Sequence, residues 1–276
     1  MPVAKIVLDS VTHLLPEHRG AAALCASHGG RYAGYFAASK GVSAVILNDA
    51  GIGREQAGLG GVRMLEGLGV PAAAVSGKTA RIGDGKDNLA RGILSFINAP
   101  ARQLGLTVGM RCVDALDKLA AASLQPAPAP PKEDEHRFEV AEAGRAGVKV
   151  IVMDSISLVQ PEDAGHIIVA ASHGACPGGK PEMAVKHAVF AAVTNDADRG
   201  IDDAGLSRLP AMNARGIAGA CLSAFSARIG DGRSMYEDGY VSALNEVAER
   251  YGGRIGQSCR QFVEAMVAAR AKETAR

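Results

Sequence analysis

The chain has 276 residues and a net charge of +1, with 47% hydrophobic and 21% charged residues. This composition is typical of a soluble globular protein, and the length predicts about two domains. Scattered Lys and Arg residues and scarce aromatic residues, with no Trp, disfavour nucleic-acid binding. No run approaches the ~18 apolar residues of a membrane span, so we expect a cytoplasmic protein with no membrane partner.

Four apolar runs in the first half predict strands buried on both faces of a parallel sheet, because the runs are continuous rather than alternating. Helix-like segments lie between and after these runs. The order predicts an open, doubly wound, Rossmann-like α/β sheet. The predicted strands are 3–8, 21–26, 42–47 and 71–75, and the predicted helices are 31–40, 54–68, 87–104 and 111–122.

A proline-rich segment at 125–131 precedes a charged run at 132–135. Prolines favour extended chain and charges resist burial, so we predict a linker over 124–136. The linker separates a first α/β repeat at 1–123 from a second at 137–276. The strands predicted in the second repeat are 148–153, 166–171, 189–194 and 217–222, and its closing helix is 260–272.

The two halves have similar sequences. Residues 8–30 align with 153–175 without a gap, and the hexapeptide at 80–85 recurs letter for letter at 227–232. The repeat is far longer than the 20–50 residues of a solenoid unit, so each copy is the size of a domain. We therefore predict an internal duplication with the two halves related by pseudo-twofold symmetry.

The repeated polar residues follow the ends of the predicted strands, where ligands bind in open α/β sheets. His28 is the candidate catalytic base, with Ser27 as a nucleophile and Asp49 or Asp84 as the carboxylate that orients the ring. Ser27 and His28 are consecutive on a strand and point to opposite faces, so they are not expected to pair with each other. Alternatively, Ser27 caps the helix near Arg31, His28 bonds the backbone and Asp49 closes an Asx turn.

The loop at 81–85 carries an arginine suited to binding carboxylate or phosphate in a bidentate manner. An internal Arg81–Asp84 ion pair in a tight turn is the structural alternative. Asp9 and Asp154 are interpreted as carboxylates that support a neighbouring loop. Glycine amides at the helix start suit an oxyanion. The candidate substrate-binding residues are Gly29, Gly30, Asn48, Arg81, His173, Asn195, Arg228 and Asp231.

No cofactor is expected from the motifs. The segment at 76–79 resembles the end of a P-loop but lacks the required glycine at position 72, and the second half has no matching lysine. The segment Gly51-Ile52-Gly53 lacks the third glycine of a dinucleotide fingerprint. Five cysteines without CxxC spacing are interpreted as buried thiols. A divalent metal held by His28, Asp49 and Asp84 remains an alternative to a metal-free site.

The halves diverge after each repeated motif, which favours one asymmetric cleft between them over two equivalent sites. We expect an enzyme that acts on a small carboxylated substrate, with hydrolysis of an amide or related C–N bond as the leading reaction. One alternative is an isomerase, racemase or lyase that uses bases from both halves. Another is a non-catalytic, two-lobed ligand-binding protein. Alanine-rich helices leave a homo-oligomer open.

Overall fold

The computed structural model describes residues 3–274, which divide into two compact units. The outermost residues of the predicted repeats, 1–2 and 275–276, lie outside the described part. Unit 1 comprises Met1–Ile52, Gln56–Asp134 and Gly200–Ala204, and unit 2 comprises Gly53–Glu55, Glu135–Arg199 and Gly205–Arg276. Each unit therefore includes a short segment from the other half of the sequence. The predicted repeats, in contrast, are continuous in sequence.

Unit 1 contains a five-stranded sheet in the order β1-β2-β3-β4-β5. The first four strands are parallel, and β5 is antiparallel to β4. The three strands β2, β3 and β4 are almost entirely buried, as continuous apolar runs predict. The strands are β1 Lys5–Leu8, β2 Ala22–His28, β3 Ala44–Asn48, β4 Ala72–Val75 and β5 Leu94–Ile97.

Helices cover both faces of this sheet. On one face, Ala37 and Val62 pack in a cluster with Val45 of β3; on the other, Leu116 packs in a cluster with Ile46. The helices are α1 Arg31–Ser39, α2 Gly60–Gly67, α3 Gly85–Arg91, α4 Ala99–Gln103 and α5 Cys112–Ala121.

The strand order differs from that of a doubly wound sheet. A doubly wound sheet reverses its strand order at a switch point, whereas β1 to β5 lie side by side in chain order. Helices that follow β4 cover the second face instead. The supported architecture is an α/β fold with two mixed, mostly parallel sheets, consistent with two Rossmann-like halves.

Two predicted helices of the first half are wrong in extent. The predicted helix 87–104 is divided into α3, β5 and α4. Asn98 caps α4 through its side chain, and Pro100 lies in the first turn, where a proline begins a helix rather than continuing one. The predicted helix 54–68 begins as a 3₁₀ segment, Arg54–Leu59, and becomes α-helical at Gly60.

Unit 2 contains a six-stranded sheet in the order β11-β10-β9-β8-β7-β6. Its four middle strands are parallel, and the two edge strands are antiparallel to their neighbours. Neither β6 nor β11 is predicted from the sequence. The strands are β6 Arg137–Glu139, β7 Val150–Met153, β8 Ile167–His173, β9 Ala191–Asn195, β10 Ala218–Leu222 and β11 Val241–Leu244.

The segment that follows β8 has no α-helix in the position of α1. It forms two 3₁₀ turns, Pro177–Gly179 and Pro181–Met183, because proline and glycine disfavour a continuous helix. The helices of unit 2 are α6 Arg208–Ala214, α7 Gly232–Asp238, α8 Glu246–Arg250 and α9 Cys259–Thr274.

The predicted linker is in part packed against unit 1. Ala127 is buried, and its amide donates to the Val42 carbonyl oxygen at 3.1 Å. The two units adjoin in sequence at Asp134 and Glu135, inside the predicted 124–136 segment. Within residues 3–274, no helix has the length and apolar character required to cross a membrane.

Candidate functional site

The candidate residues of unit 1 follow β2, β3 and β4 at the carboxyl edge of the sheet. The parallel register pairs His28 with Asn48, and Asn48 with Val75. Since neighbouring strands lie about 4.8 Å apart, these strand ends form one continuous rim. The predicted grouping of polar residues at this edge agrees with the register.

His28 is held by the backbone of the loop that follows it. Its Nδ1 atom accepts a hydrogen bond from the Gly30 amide at 3.1 Å. Burial lowers the pKa of the imidazole to about 4, so the ring is neutral near pH 7. In the neutral tautomer that matches this bond, Nε2 carries the proton. The Nδ1 atom of His28 therefore faces an amide rather than a predicted carboxylate.

The amides of the two glycines after His28 are engaged within the protein. Gly29 donates to the Asn48 carbonyl oxygen at 2.7 Å, and Gly30 donates to His28. A Cβ atom on Gly29 would overlap the Gly58 carbonyl oxygen. Gly29 is thus required for close backbone packing, and these amides are not arranged as an open oxyanion cradle.

Ser27 is buried and tied to the chain before it. Its Oγ atom accepts a hydrogen bond from the Val11 amide at 2.8 Å and lies 3.3 Å from the Ser10 hydroxyl. Helix α1 begins after Gly30 without a side-chain cap. The alternative in which Ser27 caps this helix is therefore wrong.

Asn48 is fully buried and connects two loops. Its amide nitrogen donates to Asn88 Oδ1 at 3.1 Å, and its own Oδ1 accepts from the Ala50 amide at 3.0 Å. Asn88 in turn donates to the Arg81 and Asp84 carbonyl oxygens. Sequence reasoning did not identify Asn88, whose counterpart by alignment is Met235.

One oxygen of the Asp49 carboxylate closes two loops. Asp49 Oδ1 accepts hydrogen bonds from the Gly51 amide at 2.9 Å and from the Gly77 amide at 2.8 Å. The bond from Gly51 closes the predicted Asx turn. Asp49 is only 3% exposed. Its Oδ2 atom accepts no hydrogen bond from any residue in the described chain. A buried carboxylate with one unused oxygen has the chemistry of a proton acceptor.

The backbone after Asp49 is strained. Ala50, Ile52, Glu55 and Gln56 all have φ between +49° and +64°, a region that residues with a Cβ atom rarely adopt. Such conformations persist only where the surrounding structure holds them and concentrate at functional sites. The two amide bonds to Asp49 Oδ1 supply part of that restraint.

Asp84 caps helix α3. Its Oδ1 atom accepts from the Asp87 amide at 2.9 Å, and the residue has the extended backbone of an N-cap. The alternative of an Arg81–Asp84 ion pair is not observed among the described residues. Arg81 instead lies 2.8 Å from Asp202, within unit 1, and its amide donates to Asp87.

Asp202 receives a second guanidinium group. Arg91 Nη2 lies 2.7 Å from the same Asp202 oxygen, and Arg91 also pairs with Asp87 at 2.8 Å. The hydrogen bonds from Arg91 and then Arg81 keep the pKa of Asp202 below its usual value. Arg81 therefore binds a carboxylate of the chain itself, and its predicted role in binding substrate stays a prediction. Neither Arg91 nor Asp202 was identified from the sequence.

Asp9 and Asp154 support the glycine loops, as interpreted from the sequence. Asp9 Oδ1 accepts from the Gly85 amide at 2.9 Å, and Asp154 Oδ1 accepts from the Gly232 amide at 2.8 Å. Each carboxylate thus fixes the start of the helix that follows the repeated loop.

The candidate residues of unit 2 make matching contacts. His173 Nδ1 accepts from the Ala175 amide, and Asn195 Oδ1 accepts from the Ala197 amide. Asp231 caps α7 through the Ser234 amide and also pairs with Arg228 at 2.9 Å. In this unit the Arg–Asp pair of the repeated loop is present.

Asp196, the counterpart of Asp49, differs in its second oxygen. Its Oδ1 atom accepts from the Asp198 and Ala224 amides, as Asp49 Oδ1 does from its own loops. Its Oδ2 atom accepts from the Ser242 hydroxyl at 2.7 Å. Ser242 Oγ also lies 3.2 Å from the Cys221 carbonyl oxygen, and the corresponding hydroxyl of unit 1, on Ser95, donates to the matching Ala74 carbonyl oxygen at 3.3 Å. The two carboxylates are therefore not chemically equivalent.

The alternative metal site is not assembled in the structure. No group of three or more His, Cys, Asp and Glu side chains within residues 3–274 has an arrangement that holds a metal ion. Asp49 and Asp84 each accept a backbone amide through Oδ1, and His28 Nδ1 accepts from the Gly30 amide.

Comparison with known proteins identifies no relative. No protein-family model matches the chain, and no curated protein or solved structure matches it either. The function has to be inferred from the site.

Proposed function

We propose that the chain is an enzyme that hydrolyses an amide or related C–N bond in a small carboxylated compound, at the carboxyl edge of the sheet of unit 1. The observation that carries this proposal is the Asp49 carboxylate, which is buried and bound by two amides at Oδ1 but has no donor at Oδ2. This arrangement supports a positioned general base.

In the proposed reaction, Asp49 Oδ2 accepts a proton from water as the water oxygen attacks the substrate carbonyl carbon. The C–N bond then breaks and the proton on Asp49 passes to the leaving nitrogen. The products are a carboxylic acid and an amine or ammonia.

The substrate class rests on Arg81. This guanidinium group already binds the Asp202 carboxylate at 2.8 Å, which supports recognition of carboxylates at the same edge. Its side chain is half-exposed.

Matched carboxylate variants test the proposal. Asp49→Asn keeps an oxygen that can accept the Gly51 and Gly77 amides but removes the base, so we expect turnover to fall by at least ~10²-fold. Asp196→Asn is the control, because both oxygens of Asp196 are already bound. Amine release is measured on a panel of N-acyl and N-carbamoyl amino acids. Equal turnover in the two variants, or no hydrolysis of any panel member by the wild-type chain, contradicts the proposal.

A non-catalytic ligand-binding protein is the second candidate. The observation that favours it is that the repeated polar residues largely bond backbone groups, including His28, Asp84 and Asn48. It predicts stoichiometric binding of panel members by calorimetry without product formation. The isomerase or lyase alternative stays a prediction, distinguished by solvent deuterium incorporation at carbon without incorporation of water oxygen.

We also infer that the two units arose by internal duplication. The aligned positions Asp49 and Asp196 make equivalent bonds through Oδ1, and Asp84 and Asp231 each cap the helix after the repeated loop. These shared contacts support common ancestry of the loops.

A further inference from the structure

Arg208 is a buried cation without an acidic partner. Only 2% of the residue is exposed, and it forms no ion pair with any Asp or Glu in the described chain. Burial lowers the pKa of its guanidinium group to about 10, so the group is still positively charged near pH 7. An isolated charge in a protein interior is strongly unfavourable unless an opposite charge compensates it.

The neighbouring groups do not supply that opposite charge. Arg208 Nε donates to the His173 carbonyl oxygen at 3.2 Å, and Nη1 donates to the Met183 and Ala184 carbonyl oxygens. These acceptors are uncharged. Burial raises the pKa of the Cys176 and Cys221 thiols, to about 12 for Cys221, so both stay neutral.

One edge of the guanidinium group remains available. Nη2 makes no hydrogen bond to any residue between 3 and 274. The polar side-chain atoms in this range that are sealed from solvent without a partner are Ser43 Oγ, Arg137 Nε and His187 Nε2. Because Nη2 is not among them, this edge of the guanidinium group is not sealed from solvent.

The charge is specific to unit 2. By alignment, Arg208 corresponds to Gly61, which packs against Gly34 of α1 in unit 1. Unit 2 has 3₁₀ turns in place of that helix, and Arg208 bonds the end of the second turn. The same carboxyl edge of the sheet, at His173, therefore carries a buried positive charge in unit 2 alone.

We propose that Arg208 forms the base of a binding site for a small oxyanion, a carboxylate or a phosphate group, at the carboxyl edge of the unit 2 sheet. The anion binds the Nη2 edge and compensates the buried charge. This site is independent of the hydrolysis proposed for unit 1, since none of its residues belongs to that reaction.

Calorimetric titration of the full chain with inorganic phosphate and with malonate, at constant ionic strength, tests the site. We expect at least one of the two anions to bind, and the one that binds identifies its class. Arg208→Met should weaken that binding by at least ~10-fold, because a hydrogen bond to a charged group is lost. Arg215→Met is the matched control: Arg215 is exposed and bonds the carbonyl oxygen of Val185 in the same loop, so its removal should leave the affinity unchanged.

If Arg208→Met does not fold, Arg208→Lys decides the question. Lysine keeps a positive charge but loses the planar fork, so binding should weaken ~10-fold. Unchanged affinity in the folded Arg208 variant overturns the proposal. Absence of binding of both anions to the wild-type chain also overturns it, because the carbonyl oxygens then compensate Arg208 unaided.

Discussion

Gly34 of α1 and Gly61 of α2 are in backbone contact: a Cβ atom on Gly34 would lie 2.6 Å from the Gly61 Cα atom. Real Cβ atoms do not approach backbone so closely, so the two helices require glycine here. Gly34→Ala should destabilise the protein by about 2 kcal/mol through overpacking. Urea denaturation monitored by circular dichroism measures this loss.

Gly67 of α2 is the control for that substitution. A Cβ atom on Gly67 would meet no heavy atom within 4 Å, and the residue is helical. Gly67→Ala should raise the free energy of unfolding by about 0.5 kcal/mol, because alanine loses less conformational freedom on folding. A similar loss of stability in both variants would show that helix contact is not the cause.

Protonation of His28 should destabilise the folded chain in mild acid. Burial lowers the folded-state pKa to about 4 from an ordinary value of 6.5, so the unfolded state binds more protons between these pH values. The contribution of neutral His28 to the free energy of unfolding is therefore fully present above pH ~6.5 and is lost as the pH falls toward ~4. Denaturant midpoints measured across this range should fall less in His28→Gln than in wild type.

His13 provides the matched control for the acid effect. It makes the same substitution, His13→Gln, at an exposed side chain, and its denaturant midpoints are measured across the same pH range. A His28→Gln profile that parallels wild type would show that His28 is not held neutral by burial.

Asp84 should act as a helix cap rather than as a catalytic carboxylate. Asparagine is an equally good N-cap, so Asp84→Asn should keep both stability and turnover. Asp84→Ala should lose about 1 kcal/mol, because the Asp87 amide loses its acceptor. Thermal unfolding and the amine-release assay separate the roles, and a ~10²-fold loss of turnover in Asp84→Asn would restore Asp84 as catalytic.

The cysteines should react slowly in the folded chain. All five are free and buried, and burial raises the pKa of Cys25, Cys112 and Cys259 to about 12. Because the thiolate is the reactive form, a thiol-specific reagent at pH 8 should modify fewer than about one thiol per chain before unfolding. Five should react in denaturant. Rapid native modification of several thiols would contradict their burial.

The sequence predicts the buried strands well because they are continuous apolar runs. It fails where a strand is short and partly polar, as at β5 and β6, and where a helix signal extends across a break, as at Asn98. The strand order follows from pairing between strands, which local residue patterns do not encode. The wrong doubly wound topology has this origin.

For the candidate site, the repeat locates the polar edge but not the partner of each side chain. Asp49 and Gly77 are 28 residues apart, and Asn48 and Asn88 are 40 apart, so only folding shows that they bond. The difference between Asp49 and Asp196 depends on the hydroxyl orientation of Ser95 and Ser242. Both serines are present in the sequence, which therefore does not reveal the difference.

The sequential strand order of unit 1 has a consequence for folding during synthesis. Each strand from β2 to β5 pairs with the strand made immediately before it, so the sheet can grow as the chain leaves the ribosome. The segment Gly200–Ala204 is made much later, and Ile201 then donates a hydrogen bond to the Gly77 carbonyl oxygen. A nascent chain released before that segment contains the whole first sheet but lacks the last part of the unit, so its loop after β4 is completed only after β6 to β9 have been made.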